Sequence, residues 1–370
     1  ETWKKRIGLD KYPLLNFGFQ IAQPDELRHA MATGKPYKIH ATWLQQNNVL
    51  SCMGADPTEQ YIGLMNCDFN VSVDLFMTPT IMALADVVLP AATFAERNGI
   101  RVGDGPQRGE VINKVTQIGE CKSDMQINLE LGKRFNPEAW PWDNVDDMFS
   151  AMLTAQTPFT FEELREDAPG YLPVEYYKYK TGKLRPDGSV GFNTPSGRLE
   201  LYSHLMEGMG LPPLPVYSEP TPSPYSTPEL YEKFPLVLTT GARRWGLFHA
   251  ENRQFPHLRA LHDEPTVQMH PDTAAQAGVR DGDWVWVEGP KGLTGEVERV
   301  KRMVEVTPIL DPRVVSTDHA WWHPEGDPKN LYDVFDLNVN KLMPWGCGPS
   351  GIGANYKSLL CRIYRVGEGE

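Results

Sequence analysis

The stretch NVSVDLFMTPTIMALADVVLP, residues 70–90, changes its pattern twice within one short run. Residues 70–76 are β-branched and apolar and predict a strand. Residues 78–85 open with Thr then Pro, a helix start signal, and residues 86–90 are a second apolar run. Two strands joined through a helix run parallel, because an antiparallel return needs no more than a tight turn. Upstream, PYKIHATWL (36–44) predicts a further strand and PTEQYIGLMNCD (57–68) a helix; downstream, SDMQINLELGKRF (123–135) predicts another helix. The first third of the chain therefore reads as α/β with a parallel, Rossmann-like sheet.

In such sheets ligands bind beyond the carboxyl ends of the strands, where helix N-termini and loop amides converge. Those ends here are QQNN (45–48), FMTPT (76–80) and PAATFAERNG (90–99). Gln45, Gln46, Asn47 and Asn48 place four side-chain amides in a row, each with donors and an acceptor. Asp74 ends the next strand and can accept two N–H bonds from a guanine-type edge. Together they suit a nucleotide; a polar loop with a helix cap accounts equally well for them taken alone.

The 370 residues are enough for two or three packed units, and the formal net charge of -12 argues against a nucleic-acid-tracking surface or an anionic membrane. No run of apolar residues is long enough to span a bilayer, so a soluble protein without direct membrane insertion is expected, with its compartment undetermined. The chain begins ETWKKRIGLD, without a Met or an apolar signal core, which suggests a piece of something longer. The five cysteines are scattered and form no C-x-x-C pair, so buried free thiols are expected rather than a zinc or iron–sulfur site.

Residues 1–135 are expected to form the α/β dinucleotide-binding domain. Residues 136–228 are expected to be a connecting, proline-rich region with a few helices such as VDDMFSAML (145–153) and an ordered patch, FNTPSGRLELYS (192–203). LPPLPVYSEPTPSPYSTPE (211–229) suits neither a helix nor a central strand and marks a boundary. Residues 229–370 then turn mostly β: PLVLTT and TVQMH are strands, and residues 271–302 read as a short helix, a D-G-D turn and a hairpin. Short, closely spaced strands with one small helix suggest a closed barrel.

LVLTTGARRWGLFHAENRQFPHLR (236–259) gathers four arginines and two histidines inside this acidic chain. A Thr-Thr-Gly turn lets backbone amides approach a phosphate, and Arg243, Arg244 and Arg253 can pair it in forked geometry, so a diphosphate is the expected partner. A solvated basic face is the competing reading. In DHAWWHPEGD (318–327), His319, His323 and Glu325 have a superficial zinc spacing, but Pro324 and the paired tryptophans disfavour one helix face. Trp321 and Trp322 are expected instead to pack against a flat ligand or a neighbouring domain. GCGPSGIG (346–353) follows no clear strand and is weak as a phosphate loop.

VSVDLFMTPTIMALADVVLPAATFAERNG (71–99), with Asp86, Glu96 and Gly99 at hallmark positions, resembles the signature of molybdopterin oxidoreductases of the dimethyl sulfoxide reductase type. NTPSGRLELYS, LTTGARRWGLFH, MHPDTAAQAGVRDGDWVWVEGPKG, NVNKL and GPSGIGANYKSLLCRIYRV are similar to later segments of the same family. The resemblance implies a molybdenum or tungsten ion held by two molybdopterin guanine dinucleotides, and a double-psi barrel as the C-terminal domain. By matched position it implies Gln46, Asn47, Asn48, Asp74, Phe76 and Thr78 along one dinucleotide. From the barrel side it implies Thr240, Gly241, Arg243 or Arg244, Phe248, His249, Asn340, Tyr356 and Lys357. Two departures are visible: Thr-Gly-Arg becomes Thr-Gly-Ala-Arg, and GDGPQRGEV (103–111) makes Arg108 a loose match.

The resemblance further implies that this chain is the C-terminal part of a catalytic subunit, inactive alone. The missing N-terminal half would bear an iron–sulfur cluster and the metal-ligating residue, so no catalytic residue or protein metal ligand is assigned here. An iron–sulfur electron-transfer subunit and a small-molecule substrate are the implied partners. FHAENRQFPHLR, AWWHPE and LCRIYRV resemble most the branch with acetylene hydratase, pyrogallol transhydroxylase and catechol dehydroxylases. Two other readings stand beside this one: a nicotinamide-dependent dehydrogenase, which lacks its glycine fingerprint, and a non-catalytic scaffold retaining the fold.

Overall fold

The computed structural model describes residues 2–18, 21–54, 56–102, 108–167, 170–171, 175–241, 244–247, 249–343, 347–348, 351, 353 and 355–367. Strands β1 (Ala41–Gln45), β2 (Phe69–Asp74) and β3 (Val87–Pro90) form a parallel sheet with β2 in the middle. The helices between them, Pro57–Met65 and Pro79–Leu84, begin at side-chain caps from Asp56 and Thr78 with proline in the first turn. Asn70, buried inside β2, is satisfied on every side: Thr42 Oγ1 donates to its Oδ1 at 2.6 Å, and its Nδ2 donates to Leu64 O at 3.0 Å. Its backbone N–H donates to Asp86 Oδ2 at 2.7 Å, which gives Asp86 a structural task at the entry to β3.

A second sheet, antiparallel, is built from β4 (Gly99–Val102), β5 (Arg108–Ile112) and the short β6 (Gly170–Tyr171). Helices Val145–Thr154 and Phe161–Glu166 cover it, and Met148, Phe149, Leu153, Phe161 and Leu164 form its core with Ile100 and Val111 beside them. Part of the segment read as a connector thus completes a third packed unit that also draws on residues before 135. Residues 192–203, expected to be ordered, contain no strand: Arg185 Nη1 donates to Phe192 O at 3.0 Å, and Tyr179 stacks on Phe192.

The barrel closes in the order β10-β8-β11-β7-β12-β9, with β7 at Leu236–Thr240, β8 at Thr266–Met269, β9 at Trp284–Pro290, β10 at Val297–Val306, β11 at Val314–Thr317 and β12 at Leu359–Arg365. Parallel pairs (β7 with β11, β8 with β10) mix with antiparallel ones, so the final strand inserts between β7 and β9 to complete the ring. Its inward side chains, among them Leu238, Val267, Val285, Val287, Val300 and Val315, are fully buried. Cys361 joins them; the other four cysteines are partly exposed, and all five are free thiols. Among the described residues no helix is long and apolar enough to cross a membrane.

The barrel and the parallel sheet are tied together directly. Asn338 Nδ2 donates to Leu50 O at 2.7 Å and Asn340 Nδ2 to Met53 O at 2.9 Å. Lys291 pairs with Asp56 across the same junction. Trp322 packs in one apolar cluster with Leu50, Leu64 and Leu84, a contact with the neighbouring unit, whereas Trp321 packs with Leu247 and Leu337.

Candidate functional site

The carboxyl ends of β1 and β2 open onto a cleft of about 500 Å³, lined on the sheet side by Gln46, Asn47, Asn48, Asp74, Phe76 and Thr78. The opposite wall comes from the barrel loop, with His249, Ala250, Glu251, Asn252 and Gln254. Gln254 Nε2 donates to Met77 O at 2.9 Å, and the Phe76 and Phe255 rings meet edge-on at 5.2 Å, so the two walls touch at the rim. The six sheet-side residues implied by the resemblance are therefore gathered around one space, while Gln45, the first of the four consecutive amides, is not among its lining residues. From the barrel side, His249 joins them.

Gln46 sits at a left-handed φ of 52° directly after β1, and its Nε2 donates to Asp124 Oδ2 at 2.9 Å, while Gln45 Nε2 donates to Oδ1 at 2.7 Å. Asp124 thus fixes both amides. Asn48 is buried; its Oδ1 accepts from Thr80 Oγ1 at 2.7 Å, but its Nδ2 has no partner. A buried amide donor without an acceptor costs about 1–3 kcal/mol, so this atom is suited to an acceptor arriving from the cleft. Burial pushes the Asp74 carboxyl above its ordinary range, against the pull of the Leu75 and Phe76 N–H groups. Thr78 caps helix Pro79–Leu84 through Ile81 N, placing that helix N-terminus at the cleft.

The remaining barrel candidates lie elsewhere. Thr240, Gly241, Tyr356 and Lys357 cluster where β7 ends and β12 begins: Thr240 Oγ1 donates to Tyr356 O at 2.6 Å, and Lys357 Nζ donates to Thr240 O. Gly241 has φ 81°, and a Cβ there would run into Lys357 Nζ. Asn340 is buried at the junction described above. Arg244 is committed to the barrel wall, its Nε donating to Asp318 Oδ1 at 2.9 Å and its Nη2 to Glu305 Oε2 at 2.8 Å and Thr266 Oγ1 at 2.6 Å. Arg243 and Phe248, and the side chain of Arg108, lie outside the described residues.

His319 connects the two groups. Its Nε2 lies 2.5 Å from His249 Nδ1, and it lies against Gly241. Burial, followed by the nearby His249, Lys357 and Arg253, pulls its pKa down to about 4, which keeps the imidazole neutral near pH 7. His323 is held by Asp333 at 3.0 Å and Glu264 at 3.1 Å, and no metal-holding group of His, Cys, Asp and Glu occurs among the described residues. Glu251, Asn252, Gln254 and Cys52 line the cleft without having been singled out from the sequence; the first three sit in the same loop as His249, which was the available signal. Glu96, a hallmark position, accepts from Thr93 N at 3.1 Å, Ile118 N at 2.9 Å and Cys121 Sγ at 3.2 Å, and so binds two loops together.

Residues 19–134 match the family model described as "Molybdopterin oxidoreductase", and residues 236–360 match that described as "Molydopterin dinucleotide binding domain". The acetylene hydratase of Syntrophotalea acetylenica is 33% identical across 99% of this chain and 52% of the relative. The dopamine dehydroxylase of Eggerthella lenta is 27% identical across 99% of this chain and 42% of the relative. Among solved structures, acetylene hydratase from Pelobacter acetylenicus superposes with a TM-score of 0.85 at 28% identity, over 98% of this chain and 52% of that one. The chain thus spans about half the length of these relatives. With both matched segments lying on the two walls of the cleft, the chain belongs to the molybdopterin oxidoreductases of the dimethyl sulfoxide reductase type.

Proposed function

We propose that the cleft between sheet and barrel holds the guanine dinucleotide arm of a molybdopterin cofactor, and that the chain is the C-terminal part of a molybdenum- or tungsten-dependent catalytic subunit. The observation that carries the reading is the unpartnered, buried Asn48 Nδ2 in a space lined from both units. Its volume falls within the ~300–1,000 Å³ of small-molecule sites. Asn48 would offer its amide N–H to an oxygen or ring nitrogen, and Asp74 would accept N–H groups of a guanine edge. Gln46, held by Asp124, and His249, held by His319, would orient the ligand without rearranging on binding.

Thr240, Gly241, Tyr356 and Lys357, with Arg243 and Phe248, are proposed to face the pterin end or a second dinucleotide. Arg244, bonded to Asp318, Glu305 and Thr266, and Asn340, bonded to Met53 O, are left with structural tasks in the barrel and at the junction. When bound, the metal–pterin centre supplies the redox or Lewis-acid chemistry, and this chain's residues bind, orient and exclude water. An iron–sulfur cluster and the metal ligand are proposed to come from the half that the relatives' extra length represents, and an electron-transfer subunit to dock on that half. The relatives named hydratase and dehydroxylase favour conversion of a small, unsaturated or phenolic molecule.

The test is to purify the full-length protein, measure molybdenum and tungsten, and release the nucleotide by acid hydrolysis. Metal together with GMP is expected. Absence of both from active enzyme, or stabilisation of the protein by NAD instead, would overturn the reading in favour of the dehydrogenase alternative.

A further inference from the structure

Behind His249, separate from the main cleft, lies a void of about 10 Å³ walled by Arg253, His319, Trp321, His262, Asp318 and Arg244. That is the room of one water-sized probe. Arg253 is 3% exposed; its Nη2 donates to His249 O at 2.9 Å, and its guanidinium lies 3.9 Å above the Trp321 ring. Nε and Nη1 of the same side chain are buried and have no partner, and neither has His319 Nδ1. Unsatisfied charged donors of this kind are rare because each forfeits its hydration without replacement.

What fills such a space depends on which hydrogen-bonding roles remain open. Asp318 Oδ1 already accepts from Arg244 Nε, and Oδ2 accepts from Thr266 N at 3.1 Å and lies 2.6 Å from His262 Nε2. The acceptors of the wall already carry bonds, with room left at Asp318 Oδ1 for about one more, whereas Arg253 offers two free N–H groups. His319 offers a third in the tautomer whose Nε2 accepts from His249. A water would gain donors for both of its lone pairs but an acceptor for at most one of its protons. An anion needs donors alone.

Charge gives the same answer independently. Arg244, Arg253 and Arg302 bring three positive charges into this part of the barrel, with Arg302 fully buried and bonded to Thr317 Oγ1 and to the carbonyls of Lys301 and Asp318. Asp318 and Glu305 bring two negative ones, and both are bound to Arg244. One buried positive charge is left without a counterion, and Arg253 is the arginine with open donors. We infer that this void is a binding site for a single monatomic anion of the halide class, held by Arg253 Nε and Nη1 and by His319 Nδ1, which neutralises the wall behind His249.

Crystals of the protein soaked in bromide, recorded at the bromine absorption edge, test this directly. An anomalous peak in hydrogen-bonding distance of Arg253 Nε and Nη1 is expected, together with a melting temperature that rises from fluoride to bromide at constant ionic strength. Arg253→Gln should abolish both. Ordered water without an anomalous peak, or an empty void at high bromide, would overturn the inference. So would a peak confined to surface lysines, meaning an adventitious ion only. Should Arg253→Gln fail to fold, His319→Phe, which removes one donor and leaves Arg253 in place, is expected to lower peak occupancy; unchanged occupancy would contradict the donor set. None of these outcomes depends on whether the main cleft binds a pterin.

Discussion

Asp318 keeps its charge inside the barrel wall. Burial opposes ionisation there, but His262, Arg244 and the Thr266 N–H outweigh it and bring the carboxyl down to about 2. Because the folded pKa lies below the unfolded one, this stabilisation is complete above about pH 4 and is lost as pH falls toward 2. It is worth about 2 kcal/mol, and Asp318→Asn should remove that part of the acid limb in a urea series taken against pH. His319 titrates in the same direction for a different reason: it is buried neutral, so stability should fall as pH drops from about 6.5 toward 4, and His319→Phe should flatten that range. Asn48→Leu should weaken retention of the cofactor and, because it removes the acceptor of buried Thr80 Oγ1, should also cost about 1–3 kcal/mol of stability; Thr80→Ala, which breaks the same bond but keeps the Asn48 amide, should show a similar stability cost with a smaller loss of retention. At this scale strand ends marked Asn48 and Asp74, because polar side chains there have few other tasks, while His249 came only from the family resemblance; the structure sets all three around one cleft. It could not show that Arg244 is consumed by Asp318 and Glu305, because those partners lie 74 and 61 residues away.

The strands and helices of the first third were legible because each carries its own punctuation: Pro57 and Pro79 at helix starts, β-branched runs between them. Four barrel strands, β7 to β10, were equally plain from their apolar runs, alternation and the D-G-D turn, whereas β11 carried no signal of its own and β12 was visible only through the family resemblance. The sheet of β4, β5 and β6 was not. β6 is two residues long and lies some sixty residues after β5, so no local pattern announces their pairing, and the helices above it looked like isolated pieces of a connector. Its independence makes a prediction: Leu153, fully buried in that core, should cost about 2–5 kcal/mol when changed to Ala, read from the unfolding midpoint of a tryptophan signal, with Trp140 and Trp142 as reporters in the same cluster. An unchanged midpoint would contradict the tight packing of Leu153 in that core.

At the level of the whole molecule, the barrel and the parallel sheet act as two jaws fixed at one end. Asn338 and Asn340 bond the backbone of helix Val49–Cys52 and the residue after it, and Trp322 fills the apolar seam, so one side of the cleft is anchored through the interior while Gln254–Met77 and Phe76–Phe255 join the walls at the rim. Asn338→Ala leaves Leu50 O without its donor in a dry environment; a loss of about 1–3 kcal/mol is expected, together with a widening of the cleft seen as faster release of the cofactor. Two folded units converging on one cleft was readable from paired motifs in the chain, but the anchoring between them depends on side-chain-to-backbone bonds almost three hundred residues apart. Hydrogen exchange on the cofactor-loaded and cofactor-stripped forms of the full-length protein tests the shared cleft most directly. The amides of 46–48, 74–78 and 249–254 should gain protection together on loading; protection confined to one jaw, or absent from both, would contradict it.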